Sequence, residues 1–301
     1  MKLAVLMSTY NGSKYLRQQL ESILNQVCDC EIDIWVRDDG SSDDTLKILR
    51  EYAAFGRLRW YTGENLKPAR SFLDLVKHCP GYDYYAFSDQ DDVWYPDKLQ
   101  KGIDAIRELA VPAMSFANAR LVDGELNSLG RNVHRNAPNV DFYSVTCSAG
   151  IMGCTIVFNS MLARLVQCVP MPTEPIMHDY YLGVVCTLHD GRIIYDHAPC
   201  MDYRQHGNNV VGSSSRKLDA LKERIHRLTV KARITFDMMA ASICENYPDA
   251  PNREKWEWLR EVSRYRESFW RAAKLALDRR PTYNSRNMEL TLRLCILLRN
   301  R

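Results

Sequence analysis

The sequence predicts an α/β protein: a mostly parallel sheet laid down by βαβ units, followed by an all-helical extension. Three observations predict it. Apolar runs of strand length alternate with stretches of helical spacing in the first third of the chain. Each early run ends in a polar turn, twice a strongly acidic one. Beyond Gly212-Ser213-Ser214-Ser215 the apolar residues repeat only at spacings of three and four.

Taken in order, Lys2–Met7 is a continuous apolar run and reads as a buried strand. It is too short for a signal-peptide core and leads directly into the turn Ser8-Thr9-Tyr10-Asn11-Gly12-Ser13. Tyr15, Leu16, Leu20, Ile23 and Leu24 then recur at helical spacing. Ile32–Val36 is the second strand, and Asp38-Asp39-Gly40-Ser41-Ser42-Asp43-Asp44 its acidic turn. Asp43 or Asp44 is the expected N-cap of a helix starting over Thr45–Tyr52. Leu58–Tyr61 forms a third strand and Tyr84–Phe87 a fourth, which ends in Ser88-Asp89-Gln90-Asp91-Asp92. Strands alternating with helices imply a parallel sheet, and ligands of such sheets sit beyond the carboxyl ends of the strands.

The middle of the chain, about 113–213, reads as mixed strands and loops. Asp123-Gly124-Glu125 resembles a hairpin turn, and Gly150, Gly153 and Cys154 precede a short strand. His178–Leu188 is a helix; Ile193–Tyr195 and Met201–Tyr203 are short strands. In the tail, Leu218, Leu221, Ile225, Leu228 and Ala232 mark one helix. A second is expected from Arg253 to Leu277 and a third from Asn287 to Arg299. The chain therefore divides into residues 1–213 and a helical module, 214–301.

Composition excludes several classes. Of 301 residues, 46% are hydrophobic and 26% charged, which rules out a disordered or collagen-like chain. Lys+Arg 40 against Asp+Glu 37 leaves +3, too balanced for a dedicated nucleic-acid binder. No uninterrupted apolar run approaches the ~18 residues of a membrane span. The ten cysteines are scattered, and Cys28 and Cys30 are too close for a CxxC pair, so reduced cysteines in a cytoplasmic protein are expected.

The densest chemical signal is Asp89-Gln90-Asp91-Asp92-Val93-Trp94 after the fourth strand. Carboxylates packed this closely repel, and a divalent cation is the usual compensation. Oxygen donors suit Mg²⁺ or Mn²⁺ rather than zinc. Alternation in an extended segment would turn Asp89 and Asp91 to one site. The plainer alternative is a solvated turn in which Asp92 or Asp97 caps the next helix. A second acidic turn, Asp38-Asp39-Gly40-Ser41, would converge on the first at the same sheet edge.

Together with Ser8-Thr9-Tyr10-Asn11, these turns resemble the family-two, inverting glycosyltransferases of the GT-A nucleotide-diphospho-sugar fold. The order and spacing of the three runs carry the resemblance, which covers about residues 1–210. Ser88-Asp89-Gln90-Asp91-Asp92-Val93-Trp94, His178-Asp179-Tyr180-Tyr181 and the run from Tyr203 to Gly212 look like the bacterial rhamnosyltransferase-like branch.

The resemblance implies a mostly parallel central sheet with helices on both faces. It implies that Thr9 and Tyr10 line a base pocket, that Asp39 holds base or ribose with Asp38 in support, and that Asp89 holds the ribose. Asn11 and Gln90 belong to the same turns and join the substrate-binding set. Asp91 would be the main ligand of Mn²⁺ or Mg²⁺, with His206 a second. Lys67 stands where the family often has a glycine, and Lys67 or Arg70 would reach phosphate. Asp179 would be the base that deprotonates the acceptor hydroxyl. His178, replacing the usual acid before it, would tune Asp179, contact the acceptor, or simply pack. Arg204 and His206 fall where the family closes over the diphosphate, with a solvated loop histidine as the alternative for His206, and Gly150–Cys154 resembles the acceptor-side loop. Trp94 is a core or acceptor-wall aromatic.

The implied donor is a dTDP- or UDP-linked sugar, rhamnose favoured, with glucose or galactose as alternatives. The implied acceptor is a glycan or polyprenol-linked glycan of a bacterial surface polysaccharide. The implied place is the cytoplasm, at the inner face of the membrane. Residues 214–301 hold 20 Lys+Arg against 11 Asp+Glu, leaving 20 against 26 in the rest. Two compatible readings of this basic module stay open: helices that pack, as a homodimer coil or on the catalytic domain, and helices that lie on anionic lipid. The rivals are a nucleotidyltransferase, which needs a basic glycine-rich triphosphate loop that Ser8–Asn11 does not supply, and a silent sugar-nucleotide or glycan-binding scaffold.

Overall fold

The computed structural model describes residues 1–147, 150–173, 175, 177–206, 235–283 and 285–299. Nine strands of the described residues form one sheet: β1 (Lys2–Thr9), β2 (Glu31–Asp38), β3 (Arg59–Thr62), β4 (Tyr84–Ser88), β5 (Val93–Trp94), β6 (Ala113–Val122), β7 (Ser128–Asn132), β8 (Val157–Asn159) and β9 (Arg192–Arg204). Their order is β3-β2-β1-β4-β8-β6-β9-β5, with β7 paired to β6. The first four are mutually parallel; β8 runs antiparallel to both β4 and β6. Chain order reverses between β1 and β4, which creates a switch point at their carboxyl ends.

Register brings the three polar turns to one edge. Thr9 pairs with Asp38 across β1 and β2, and Met7 with Ser88 across β1 and β4. The centre of the sheet is covered on both faces, which is why β1 and β4 are near-continuously buried rather than alternating. Ala4 and Leu6 of β1 face one core with helices α3 (Lys67–His78), α6 (Ser160–Gln167) and α7 (His178–Leu188). Leu3, Val5 and Met7 face the other, with α1 (Leu16–Leu24), α2 (Thr45–Ala54) and α4 (Lys98–Asp104). Residues Phe142–Cys147 form the short helix α5.

Among the described residues four C-terminal helices follow: α8 (Phe236–Asn246), α9 (Arg253–Ser263), α10 (Phe269–Ala276) and α11 (Arg286–Leu297). Phe236, Met239, Trp258, Leu259 and Tyr265 join the same core cluster as Phe87 and Phe158. Trp258 meets Phe142 and Tyr143 edge-on, with ring centroids 5.7 and 5.0 Å away. None of the described helices is long and apolar enough to cross a membrane.

Several local expectations need correction. The tail helix expected over Arg253–Leu277 is broken: a 3₁₀ turn at Tyr265–Glu267 intervenes, and extended Ser268 accepts the Arg271 N–H to start α10. The two short strands near 193–203 are one long β9, bulged opposite Ala117–Asn118 where Pro199 cannot donate. Neither Asp92 nor Asp97 caps α4: Asp92 accepts the Arg204 backbone N–H, and Asp97 pairs with Lys101. At α2 the turn is closed by Asp43, which accepts from the Thr45 N–H, while Asp44 makes no cap bond. The remainder of the Tyr203–Gly212 run beyond His206, the Gly212–Ser215 linker and the Leu218–Ala232 helix lie outside the described residues.

Candidate active site

A cavity of about 400 Å³ opens at the switch point. Ser8, Tyr10 and Asp39 line it from the ends of β1 and β2, and Asn65, Lys67 and Pro68 from the start of α3. Asp89, Gln90 and Asp91 line it from the end of β4, Gly153 and Cys154 from the 3₁₀ turn before β8, and His178 and Asp179 from the start of α7.

Backbone and side-chain hydrogen bonds lock the turns together. Asp38 is fully buried; its carboxylate accepts from the Gly40 and Ser41 N–H groups and from the Thr9 and Ser41 hydroxyls. Asn11, at a positive φ of 48°, accepts the Ser42 N–H. Gln90 forms a reciprocal pair with the Tyr10 backbone, accepting from its N–H at 2.9 Å and donating to its carbonyl at 3.1 Å. Asp39 is buried in an ion pair with Arg37, whose guanidinium also reaches Asp74 at 3.0 Å.

The acidic end of β4 carries the electrostatic strain. Burial, then Asp91 and Asp179, push the Asp89 carboxyl up to about 7. Asp92, fully buried, is raised well above the ordinary carboxylate range by burial and by Asp91 and Asp89. The Asp91 carboxylate lies 2.8 Å from His206 Nε2. The His206 ring packs on Tyr15, with centroids 5.2 Å apart. One further trio, Asp89, Asp92 and Cys154, brings donor atoms within 4.8 Å of one another. Burial holds the Cys154 thiol protonated, which argues against its ligating a hard cation.

Asp179 occupies the first turn of α7. Its carboxylate accepts the Gly153 N–H at 3.0 Å and the Tyr180 N–H at 2.7 Å. Burial nevertheless raises it to about 6, the range of a working base near neutrality. A Cβ on Gly153 would collide with His178, so glycine is what permits this close approach. His178 is buried against Phe72 and Phe87, at 4.1 and 4.7 Å, and burial depresses it to about 3. It is a neutral aromatic wall.

The structure thus brings Tyr10, Asp39, Lys67, Asp89, Gln90, Asp91, His178 and Asp179 to one cavity, with His206 bonded to Asp91. Other candidates do not face it. Thr9 turns inward to Asp38 because strand alternation leaves Ser8 and Tyr10 on the cavity side. Asp38 and Asn11 shape the loops. Trp94 is 3% exposed in the core under α1 and α4, with the Lys98 ammonium 3.5 Å from its ring centre. Arg204 is 1% exposed, and its guanidinium donates to the Asp91 carbonyl, the Gly124 carbonyl and Gln18 while stacking on Tyr15. It braces the acidic loop and does not reach the cavity. Arg70 lies on α3 behind the lining, its Nε buried and unpaired among the described residues. Lys67 retains a left-handed φ of 64° where a glycine would be unstrained.

Reading the sequence missed Arg37, Tyr15 and the Gly153 N–H. Arg37 carried a signal, a cation in an apolar strand one residue before two carboxylates. Tyr15 looked like one more apolar helix position. A backbone donor has no signature in side-chain patterning.

A mixed, mostly parallel sheet with an acidic cavity at its switch point, lined also by the Asp179 carboxylate, is the architecture of the GT-A fold. The chain belongs to glycosyl transferase family 2, whose model matches residues 4–161. Among its relatives, the dTDP-rhamnosyl transferase RfbG of Shigella flexneri is 30% identical over 227 residues, 69% of this chain and 74% of that protein. The chondroitin synthase of Escherichia coli is 29% identical over 223 residues, 73% of this chain but 31% of that protein. Among solved structures, S. aureus TarS 1-349 in complex with UDP-GlcNAc aligns with 92% of this chain and 81% of its own, at a TM-score of 0.56 and 17% identity. The mannosyltransferase PcManGT from Pyrobaculum calidifontis, in complex with GDP-Man and Mn²⁺, aligns with 99% of this chain and 86% of its own, at 0.53 and 15%. These two show the shared fold. The protein is a glycosyltransferase.

Proposed function

We propose that this glycosyltransferase is metal-dependent and inverting. It would move a deoxyhexose, rhamnose in first place, from a nucleoside diphosphate to a glycan or polyprenol-linked glycan acceptor in polysaccharide synthesis. The observation that carries the reading is that Asp179 and the Asp89–Asp91 cluster line one cavity. A single displacement needs this arrangement, with a base on the acceptor side and charge compensation on the donor side.

The residues fit a divalent cation. Burial and then the Asp91 and Asp179 carboxylates push Asp89 up, and the Asp91–His206 pair offers an oxygen and a nitrogen donor at one place. Asp91 and His206 would hold Mn²⁺ or Mg²⁺, which supplies Lewis-acid stabilisation of charge on the departing diphosphate. The chain's own groups do the rest. Ser8, Tyr10 and Asp39 would seat the nucleoside, Asp89 the ribose, and Lys67 would approach phosphate. Asp179 takes the acceptor proton, held in place by the Gly153 N–H. Similarity to the Shigella dTDP-rhamnosyl transferase supports dTDP-rhamnose over UDP-glucose or UDP-galactose.

The test is a thermal-shift screen of dTDP, UDP and GDP and their sugars, with Mn²⁺ and with Mg²⁺, since binding raises apparent stability by mass action. A dTDP-specific, cation-dependent rise supports the donor assignment. A product whose anomeric configuration matches the donor's would overturn the inverting mechanism.

A further inference from the structure

Six of the twelve large apolar side chains exposed among the described residues fall between positions 269 and 298. Phe269, Trp270 and Leu277 stand on or beside α10; Leu290, Leu294 and Leu298 recur every fourth residue along α11, on one face of that helix. Trp270 is 79% and Leu277 77% exposed, and α10 and α11 pack on each other. Exposed apolar side chains concentrated on two helices that pack on each other mark an interaction surface.

Charge selects the partner. Residues 269–299 hold seven Lys+Arg and two acids. Both acids are engaged within the module: Asp278 pairs with Arg280, and Glu289 with Arg293. Exposed Arg279 and Arg286 pair with no acid among the described residues. Arg271 pairs with Glu261 and Glu267, and Lys274 with Glu261, so two copies meeting face to face through this surface would oppose the charge of Arg279 and Arg286. An anionic bilayer offers both an apolar interior for Trp270, Phe269 and the leucines and negative headgroups for the arginines.

We propose that α10 and α11 form a docking face for an anionic membrane surface, lying in its plane. The link between the two helices fixes this face to the catalytic domain. The Thr282 N–H donates to the Ser144 hydroxyl at 2.9 Å, and the Asn139 amide donates to the Thr282 hydroxyl at 2.8 Å. The inference concerns the lipid surface and stands whatever the donor sugar proves to be.

The experiment is co-sedimentation of the full chain with vesicles of phosphatidylcholine alone and of phosphatidylcholine mixed with phosphatidylglycerol. The protein should pellet with the mixed vesicles and less with the neutral ones, and salt should weaken the binding. Trp270→Glu with Leu294→Glu should weaken it at least about tenfold, and so should Arg279→Glu with Arg286→Glu. All four side chains are exposed, so melting temperatures should match the parent protein. Equal binding of parent and variants, or no binding to mixed vesicles, overturns the proposal. So does a dimer in light scattering that Trp270→Glu dissociates while vesicle binding is absent.

Discussion

His206 Nε2 lies 2.8 Å from Asp91 Oδ2, although 115 positions separate the two residues. The contact exists because β9 delivers His206 past β5 to the acidic turn after β4, with Arg204 tying the two segments together through the Asp91 carbonyl. Asp91→Asn should lower transfer about 10²-fold or more, while the melting temperature is held. His206→Ala should raise the Mn²⁺ concentration for half-maximal rate at least roughly tenfold. Rates titrated against Mn²⁺ check both. An unchanged Mn²⁺ requirement in His206→Ala would remove His206 from the metal site.

Asp179 should govern the acid limb of the pH profile. A base acts deprotonated, and burial raises this carboxyl to about 6, so turnover should climb as pH rises through that value and level above it. His178, held near 3 by burial, stays neutral across the range and adds no limb. Asp179→Asn should cut turnover by about 10²–10⁴-fold with little change in donor binding. Turnover measured against pH, with donor affinity measured separately, decides it.

Asp89 makes a prediction about stability. Its folded value, about 7, exceeds the ordinary 3.8, so the folded state binds a proton that the unfolded chain has released between those values. Its contribution to stability therefore falls as pH rises from about 4 to 7. Without added cation, Asp89→Asn should melt higher than the parent at pH 8, and the difference should vanish near pH 4. Melting curves at the two pH values test this, and the same variant should transfer poorly.

Gly153→Ala should damage stability and activity together. The new Cβ would press on His178 and shift the N–H that holds Asp179. Overpacking of this kind costs about 1–3 kcal/mol, visible as a lower urea midpoint. Relief of the melting defect by His178→Ala, with turnover still low, would separate crowding from the lost hydrogen bond.

Arg204→Ala should act through the fold. Removing a guanidinium that serves two buried carbonyls and Gln18 leaves acceptors unsatisfied, at a cost of about 3 kcal/mol or more. Chemical denaturation reads the loss directly. A phosphate-binding role would instead leave the urea midpoint intact and weaken donor binding alone.

The sequence by itself determined the first four strands, the three polar turns and their convergence. Periodicity and turn chemistry are local, and parallel βαβ topology forces successive strand ends to one edge. It also singled out Asp89, Asp91, Asp179 and His206 as residue types. Only the tertiary structure decided which side chains face the cavity. Thr9 and Ser8 are neighbours in one turn, yet register points Thr9 to Asp38 and leaves Ser8 on the cavity. Arg204 carries the charge of a phosphate ligand, and burial under Tyr15 makes it a brace. Residue type limits what a group can do; the partners that packing supplies select which of those things it does.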